Sequence, residues 1–117
     1  MIVMDKAERK KLVQNAAEAK VVGAIYAIKN IENGKVLVDA TAELQGTINR
    51  FEFLKQMNDP FSMKLRADFM KLGKDAFVLE ILETLDKKPE QTLQEFKEDL
   101  KLLKEMWLEK FDSSLLY

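Results

Sequence analysis

The stretch VVGAIYAIKNIENGKVLVDAT, residues 21–41, decides the fold of this 117-residue chain. In its first part, residues 21–28, both sets of alternating positions are apolar, and short length and β-branching favour a strand over a helix. The pair Asn33-Gly34 follows, and these residue types tolerate the positive φ angles of a tight turn. Residues 35–41 are again rich in β-branched residues, so the stretch predicts a hairpin whose first strand is covered on both faces.

Helices and one further strand are expected after the hairpin. Apolar residues at helical spacing predict a helix that Asn58-Asp59-Pro60 ends. Ser62 is a candidate N-cap for a second helix, and Gly73 is its expected end. The polar break at Asp86-Lys87-Lys88-Pro89 separates a third strand from a long last helix. The predicted ranges are a helix over 42–57, a helix from 62 to 73, a largely buried strand over 76–82 and a helix over 90–111.

These elements predict a single domain over residues 1–117, of the α+β class. An Ala-, Glu- and Lys-rich segment within residues 1–20 predicts an N-terminal helix. Residues 21–85 are the predicted core, and residues 90–111 are the predicted C-terminal helix. The order α-β-β-α-α-β-α predicts a three-stranded, mostly antiparallel sheet flanked by helices. Trp107, on the apolar stripe of the last helix, is expected to be mostly buried against this core.

The composition excludes several classes of function. The chain has no cysteine and no histidine, so disulfides, cysteine-ligated zinc and histidine-dependent catalysis are excluded. Any chemistry must use carboxylates, hydroxyls, tyrosine, lysine or arginine. The 19 basic and 20 acidic residues give a net charge of −1, without the overall positive charge of a strong non-specific nucleic-acid binder. No apolar stretch approaches the roughly 20 residues of a membrane span, and no signal-peptide core is present. We therefore expect a cytoplasmic protein that does not bind membranes.

Several short motifs recur in a recognisable order. The first strand carries Gly23-Ala24-Ile25-Tyr26, and Lys29-Asn30 follows before the Asn-Gly turn. The other motifs are Asn49-Arg50 with Phe53, then KLRADF (64–69), LGKDAF (72–77), EILE (80–83) and WLEK (107–110). In this order and spacing they resemble the GIY-YIG nuclease superfamily, closest to the subgroup that resembles domains associated with LuxR-type and ArsR-type regulators.

The resemblance implies a fold for metal-dependent hydrolysis of DNA, but most of the implied catalytic side chains are replaced. Tyr26 matches the tyrosine of the first strand. The second tyrosine of the family corresponds to Leu37, the glycine after it to Asp39, the helix arginine to Thr47, the nearby histidine to Phe51 and the metal-binding glutamate to Lys104. A hydrocarbon accepts no proton, threonine neutralises no phosphate and an ammonium group repels Mg²⁺.

Three functions remain open at this point. The first is a catalytically degenerate GIY-YIG-like domain that acts by binding a protein partner or itself, with a regulatory role, no confident catalytic residue and no cofactor or metal. The second is a weak endonuclease in which Tyr26, Arg50 and Glu105 form the cleft with Mg²⁺ or Mn²⁺. The third is an accessory domain that binds DNA weakly without cleaving it. Its candidate contacts are Arg50, Lys55, Lys64 and Arg66.

Overall fold

The computed structural model describes residues 20–117. The helix predicted for residues 1–20 lies outside this range except for Lys20. The elements in chain order are β1 (Val22–Asn30), β2 (Val36–Thr41), α1 (Leu44–Gln56), α2 (Arg66–Leu72), β3 (Phe77–Asp86) and α3 (Leu93–Leu108). Single turns of 3₁₀-helix precede α2, precede β3 and follow α3.

The strands form one antiparallel sheet in the order β2-β1-β3. Strand β1 lies in the centre and pairs with β2 from Ala24 opposite Thr41 to Lys29 opposite Val36. On its other side β1 pairs with β3 along its full length. The predicted α+β class and the three-stranded antiparallel sheet are confirmed.

The β1–β2 turn has the chemistry that its sequence predicts. Gly34 has a φ of 79°, which lies in the left-handed region that glycine adopts without strain. Its amide donates to the Asn30 carbonyl at 2.8 Å, and the Asn30 amide donates to the Lys35 carbonyl at 2.8 Å. The hairpin therefore closes through backbone hydrogen bonds at this turn.

Both faces of β1 are buried, as the alternating apolar sets predict. On one side, here called the cleft face, Tyr26 and Ile28 pack with Leu37, Phe51, Leu65, Phe69 and Phe77. On the other, here called the α3 face, Ile25 and Ala27 pack with Val36, Val38, Phe96 and Leu100. This pattern is expected for a central strand when both faces of its sheet are covered.

The third strand differs from its prediction in burial and length. It begins at Phe77 and continues to Asp86, and within it only Phe77 is buried. Val78 and Ile81 are 38% and 37% exposed. The prediction of a largely buried strand was wrong because β1 occupies the centre of the sheet, which leaves β3 at an edge. A short apolar run does not distinguish an edge strand from a central one.

Helix α3 is shorter than predicted because a capping box fixes its start. The Thr92 hydroxyl accepts from the Glu95 amide at 3.1 Å, and the Glu95 carboxylate accepts from the Thr92 amide at 3.0 Å. Leu102 and Met106 of α3 are each 60% exposed. Trp107 packs against the α3-face cluster, as expected, but it is only partly buried and not mostly buried.

The predicted cap at Ser62 and the predicted end of the helix at Gly73 are confirmed. The Ser62 hydroxyl accepts from the Lys64 amide at 3.3 Å and caps the 3₁₀ turn that leads into α2. Gly73 ends α2 with a φ of 86°. Helix α2 thus packs Phe69 onto the cleft face beside Phe77, with ring centroids 5.6 Å apart.

Candidate functional site: a polar cleft on one face of the sheet

A hollow of about 320 Å³ opens on the cleft face, between the β1–β2 hairpin, α1 and the turn before α2. Its floor is partly apolar, since Leu37 and Ala40 belong to it. The polar residues around it are Tyr26, Asp39, Thr41, Thr47, Arg50, Ser62 and Lys64. Residues from β1, β2, α1 and the turn before α2 therefore meet at one place.

Tyr26 lies at the base of this cleft. It is only 5% exposed, and it is the register partner of Asp39 on β2. Burial, as the largest cause, and the nearby Asp39 carboxylate raise the pKa of Tyr26 to about 12, against the opposing effect of the Arg50 guanidinium. The phenol is therefore protonated at neutral pH and able to donate a hydrogen bond.

Arg50 is held at the cleft by an aromatic contact. Its guanidinium lies over the ring of Phe61, 4.5 Å from the centroid. Phe61 in turn meets Tyr26 and Phe51 edge-on, at centroid distances of 6.4 and 5.7 Å. Phe61 has a φ of 67°, a strained conformation for an aromatic residue, and its amide donates to the Asp59 carboxylate at 3.0 Å. The turn thus holds an aromatic ring beneath the guanidinium.

At three of the positions where the family resemblance implies a different residue, the side chain contributes packing or a hydroxyl group and no charge. Leu37 and Phe51 are buried members of the cleft-face cluster. The Thr47 hydroxyl lines the cleft and donates to the Thr41 hydroxyl at 2.7 Å. The site therefore has no second phenol, because position 37 is a leucine, and no guanidinium at position 47.

The other two substituted positions form an ion pair with each other. Lys104 on α3 places its ammonium 3.2 Å from Oδ1 of Asp39 on β2. The same Oδ1 accepts a hydrogen bond from the Ala40 amide at 2.8 Å. Where the family resemblance implies a glycine and a metal-binding glutamate, this chain has a carboxylate and an ammonium that neutralise one another.

Glu105 is not part of the cleft. It is exposed on α3 and does not line the hollow that contains Tyr26 and Arg50. Successive helical residues differ by about 100° in direction, so the neighbour of Lys104 points elsewhere. The hypothesis that Tyr26, Arg50 and Glu105 converge was wrong in its third member. Among residues 20–117, no three acidic side chains are grouped so that they would hold a metal ion.

The proposed DNA contacts divide among different surfaces. Arg50 and Lys64 line the cleft. Lys55 lies elsewhere, and its ammonium donates to the Phe77 carbonyl at 2.9 Å. Arg66 borders a separate hollow with Met63 and Met70. The structure therefore brings together two of the four predicted cations.

Sequence reasoning missed Phe61 and Ser62 as residues of the site. Phe61 precedes α2, and its ring faces Arg50. Asp59-Pro60 directly before it is a turn signal. That signal indicates a change of chain direction but not which ring the turn presents to the cleft.

Comparison with solved structures finds a similarity to the catalytic domain of the homing endonuclease I-TevI. It has a TM-score of 0.54 and 26% sequence identity, over 75% of this chain and 86% of that chain. No protein-family profile matches the chain, and no curated protein matches it at a significant level. No helix in the described part of the chain has the length and apolarity needed to cross a membrane. The structural likeness supports placement in the GIY-YIG nuclease superfamily, which the sequence motifs resemble.

Proposed function

We propose that this nuclease-fold domain binds the phosphate backbone of a nucleic acid in its cleft and does not cleave it. The observation that carries the proposal is the set of side chains at the cleft. Arg50 and Lys64 remain beside Tyr26, whereas the Asp39–Lys104 ion pair stands where the family resemblance implies a glycine and a metal ligand. The site thus keeps cations that attract phosphate and lacks the groups that would activate water.

Loss of cleavage follows from the missing charges. Hydrolysis of a phosphodiester needs a base for water and positive charge on the developing oxyanion. Tyr26 stays protonated, and Thr47 supplies no charge. The Lys104 ammonium has no lone pair to offer a divalent ion, and the Asp39 carboxylate beside it is already paired. Mg²⁺ or Mn²⁺ would belong to the site only under the nuclease alternative.

Retention of binding follows from the cations that remain. A guanidinium above an aromatic ring keeps its donors free for a planar, bidentate contact with phosphate oxygens. The hydroxyl of Ser62 adds a neutral donor beside it. Overall charge led sequence reasoning to place a protein partner first. The local concentration of cations at the cleft, which the net charge of −1 conceals, favours a polyanion.

A plasmid-nicking assay tests the absence of cleavage. Supercoiled plasmid with Mg²⁺ or Mn²⁺ is incubated with the wild type and with Tyr26→Phe, and nicked product is measured over hours. We expect the same background rate from both proteins. Metal-dependent nicking by the wild type that Tyr26→Phe abolishes would overturn this part of the proposal.

Titration of a labelled 20-base-pair duplex tests binding. Arg50→Ala with Lys64→Ala removes two cleft cations. Lys71→Ala with Lys88→Ala is the matched control, because these lysines do not line the cleft. The slope of log K against log salt should fall by about 2 in the cleft variant, near 0.9 per lost phosphate contact, and stay unchanged in the control. Equal slopes for the wild type and the cleft variant would contradict the proposal.

A protein partner or self-association is the second candidate function. Met63 and Met70 are 75% and 74% exposed and flank Arg66 in a hollow of about 400 Å³. Exposed methionines beside an arginine are typical of surfaces that bind other proteins. A regulatory role of this kind agrees with the resemblance to regulator-associated domains. Light scattering across a concentration series tests self-association, which Met63→Lys with Met70→Lys should abolish.

A further inference from the structure

Outside the cleft, a row of lysines runs along one side of α3. Lys97, Lys101 and Lys104 lie at positions i, i+4 and i+7, so they share a stripe of the helix. They border a hollow of about 290 Å³ whose other wall is the end of β2 and the residue after it, from Asp39 to Ala42. The row therefore faces the outer edge of the sheet beside the cleft.

This hollow is continuous with the cleft. A third hollow, of about 620 Å³, includes both Arg50 and Lys97. All three hollows share Ala40 and Thr41 in their walls. Five cations line these hollows around the end of β2, and the carboxylates that line them are those of Asp39 and Glu43. This surface, here called the basic track, consists of Lys64, Arg50, Lys97, Lys101 and Lys104.

We propose that the basic track holds a nucleic-acid backbone that continues out of the cleft, past Thr41 and along α3, without a metal ion. The inference rests on the proposed binding in the cleft and assigns a second contact surface to the same ligand. Seven residue steps of helix from Lys97 to Lys104 span about 10 Å. Three ammonium groups spread over this length can each contact a phosphate of the same backbone.

The edge of β2 argues against an extended acidic peptide as the occupant. A peptide would bind there by adding a strand through the free backbone groups of the edge. The Val36 carbonyl already accepts from the Tyr117 amide at 3.0 Å, and the Ala40 amide already donates to the Asp39 carboxylate at 2.8 Å. A polyanion that contacts only the lysine side chains needs neither group.

Asp39 has a specific part in this inference. Its carboxylate occupies the Lys104 ammonium, so a phosphate must displace it to use that cation. The pair is partly exposed, so its own contribution to stability is small and the exchange is feasible. Removal of the Asp39 charge should therefore strengthen binding.

The experiment measures the salt dependence of binding to the same duplex, with EDTA present throughout. The triple variant Lys97→Ala, Lys101→Ala, Lys104→Ala is compared with Lys71→Ala, Lys87→Ala, Lys88→Ala, which removes the same charge away from the track. We expect the slope to fall by 2 to 3 in the track variant only. Asp39→Asn should lower Kd several-fold, and EDTA should change nothing.

The outcomes separate this inference from the proposed function. An unchanged slope in the track variant, with a reduced slope in the variant of Arg50 and Lys64, would refute the track and leave the cleft proposal intact. Unchanged slopes in both variants would refute both. Weaker binding by Asp39→Asn, or a requirement for Mg²⁺, would overturn the inference. A labelled oligoglutamate that binds the track with the same lysine dependence while DNA does not bind would replace nucleic acid with an acidic polypeptide.

Discussion

The two faces of β1 differ in what surrounds them. On the α3 face, Ile25 and Ala27 meet only apolar side chains among the buried members of their cluster, with Phe96 at the centre. On the cleft face, Tyr26 shares its surroundings with Asp39 and Arg50. One strand thus separates a closed apolar layer from an open layer that carries charge. The comparison indicates that both faces contribute apolar core, whereas the charged side chains beside β1 lie on the cleft face.

Truncation at the centre of the α3 face should have the largest effect. Phe96 is fully buried, so Phe96→Ala should lower the free energy of unfolding by about 3–5 kcal/mol. Phe53→Ala is the control, since that ring is 60% exposed and should cost less than about 1 kcal/mol. Urea denaturation followed by circular dichroism measures both. Equal midpoints for the two variants would show that α3 is not essential to the core.

Trp107 tests how far the α3 face extends towards solvent. The ring packs at the margin of the cluster, its indole nitrogen donates to the Glu83 carboxylate at 2.8 Å, and Lys110 lies 4.2 Å from the ring centroid. Because it is only partly buried, Trp107→Ala should cost about 2–3 kcal/mol, below the value for Phe96. Trp107→Phe, which keeps most packing but loses the hydrogen bond, should cost about 1 kcal/mol. A larger loss for Trp107→Ala than for Phe96→Ala in the same denaturation experiment would reverse the order of importance.

Gly23 and Gly46 differ in how closely the rest of the chain approaches them. A Cβ on Gly23 would lie 2.7 Å from the Thr41 carbonyl oxygen and 2.8 Å from Cζ of Phe96. Gly23→Ala should therefore destabilise the protein by about 1–3 kcal/mol. A Cβ on Gly46 meets nothing closer than 3.5 Å, and this glycine lies inside α1. Gly46→Ala should stabilise by up to about 1 kcal/mol. Shifts of the same sign in thermal unfolding would contradict this reading.

Local patterns in the sequence predict most of the fold but only part of the site. The hairpin follows from alternation and from Asn33-Gly34, and both are local signals. The edge position of β3 depends on which strand takes the centre, and an apolar run carries no such information. Comparison with the family motifs shows that Asp39 and Lys104 replace the expected residues. It does not show that the two charges form an ion pair. That pairing joins residues 65 positions apart through the packing of α3 against the sheet, which local patterns do not encode.

The smallest effect that we expect to distinguish the two faces of β1 is the change in the free energy of unfolding at alkaline pH. The pKa of Tyr26 is about 12 in the folded protein against 10.0 for a free phenol, mainly because of burial. As pH rises above 10, the unfolded chain releases this proton before the folded protein does, so the free energy of unfolding falls. These two pKa values give a loss of about 0.8 kcal/mol at pH 10.5. Phe96 and the other residues of the α3 face have no proton to contribute there.

Urea denaturation at pH 8 and pH 10.5 measures this loss in the wild type and in Tyr26→Phe. Titration of lysines and of Tyr117 is common to both proteins and cancels in their difference. The wild type should lose about 0.8 kcal/mol more than the variant between the two pH values. Asp39→Asn should reduce that excess, because the Asp39 carboxylate contributes to the raised pKa of Tyr26. An identical pH dependence for the wild type and Tyr26→Phe would mean that the phenol is as well solvated in the folded protein as in the unfolded chain, and that the cleft face does not bury it.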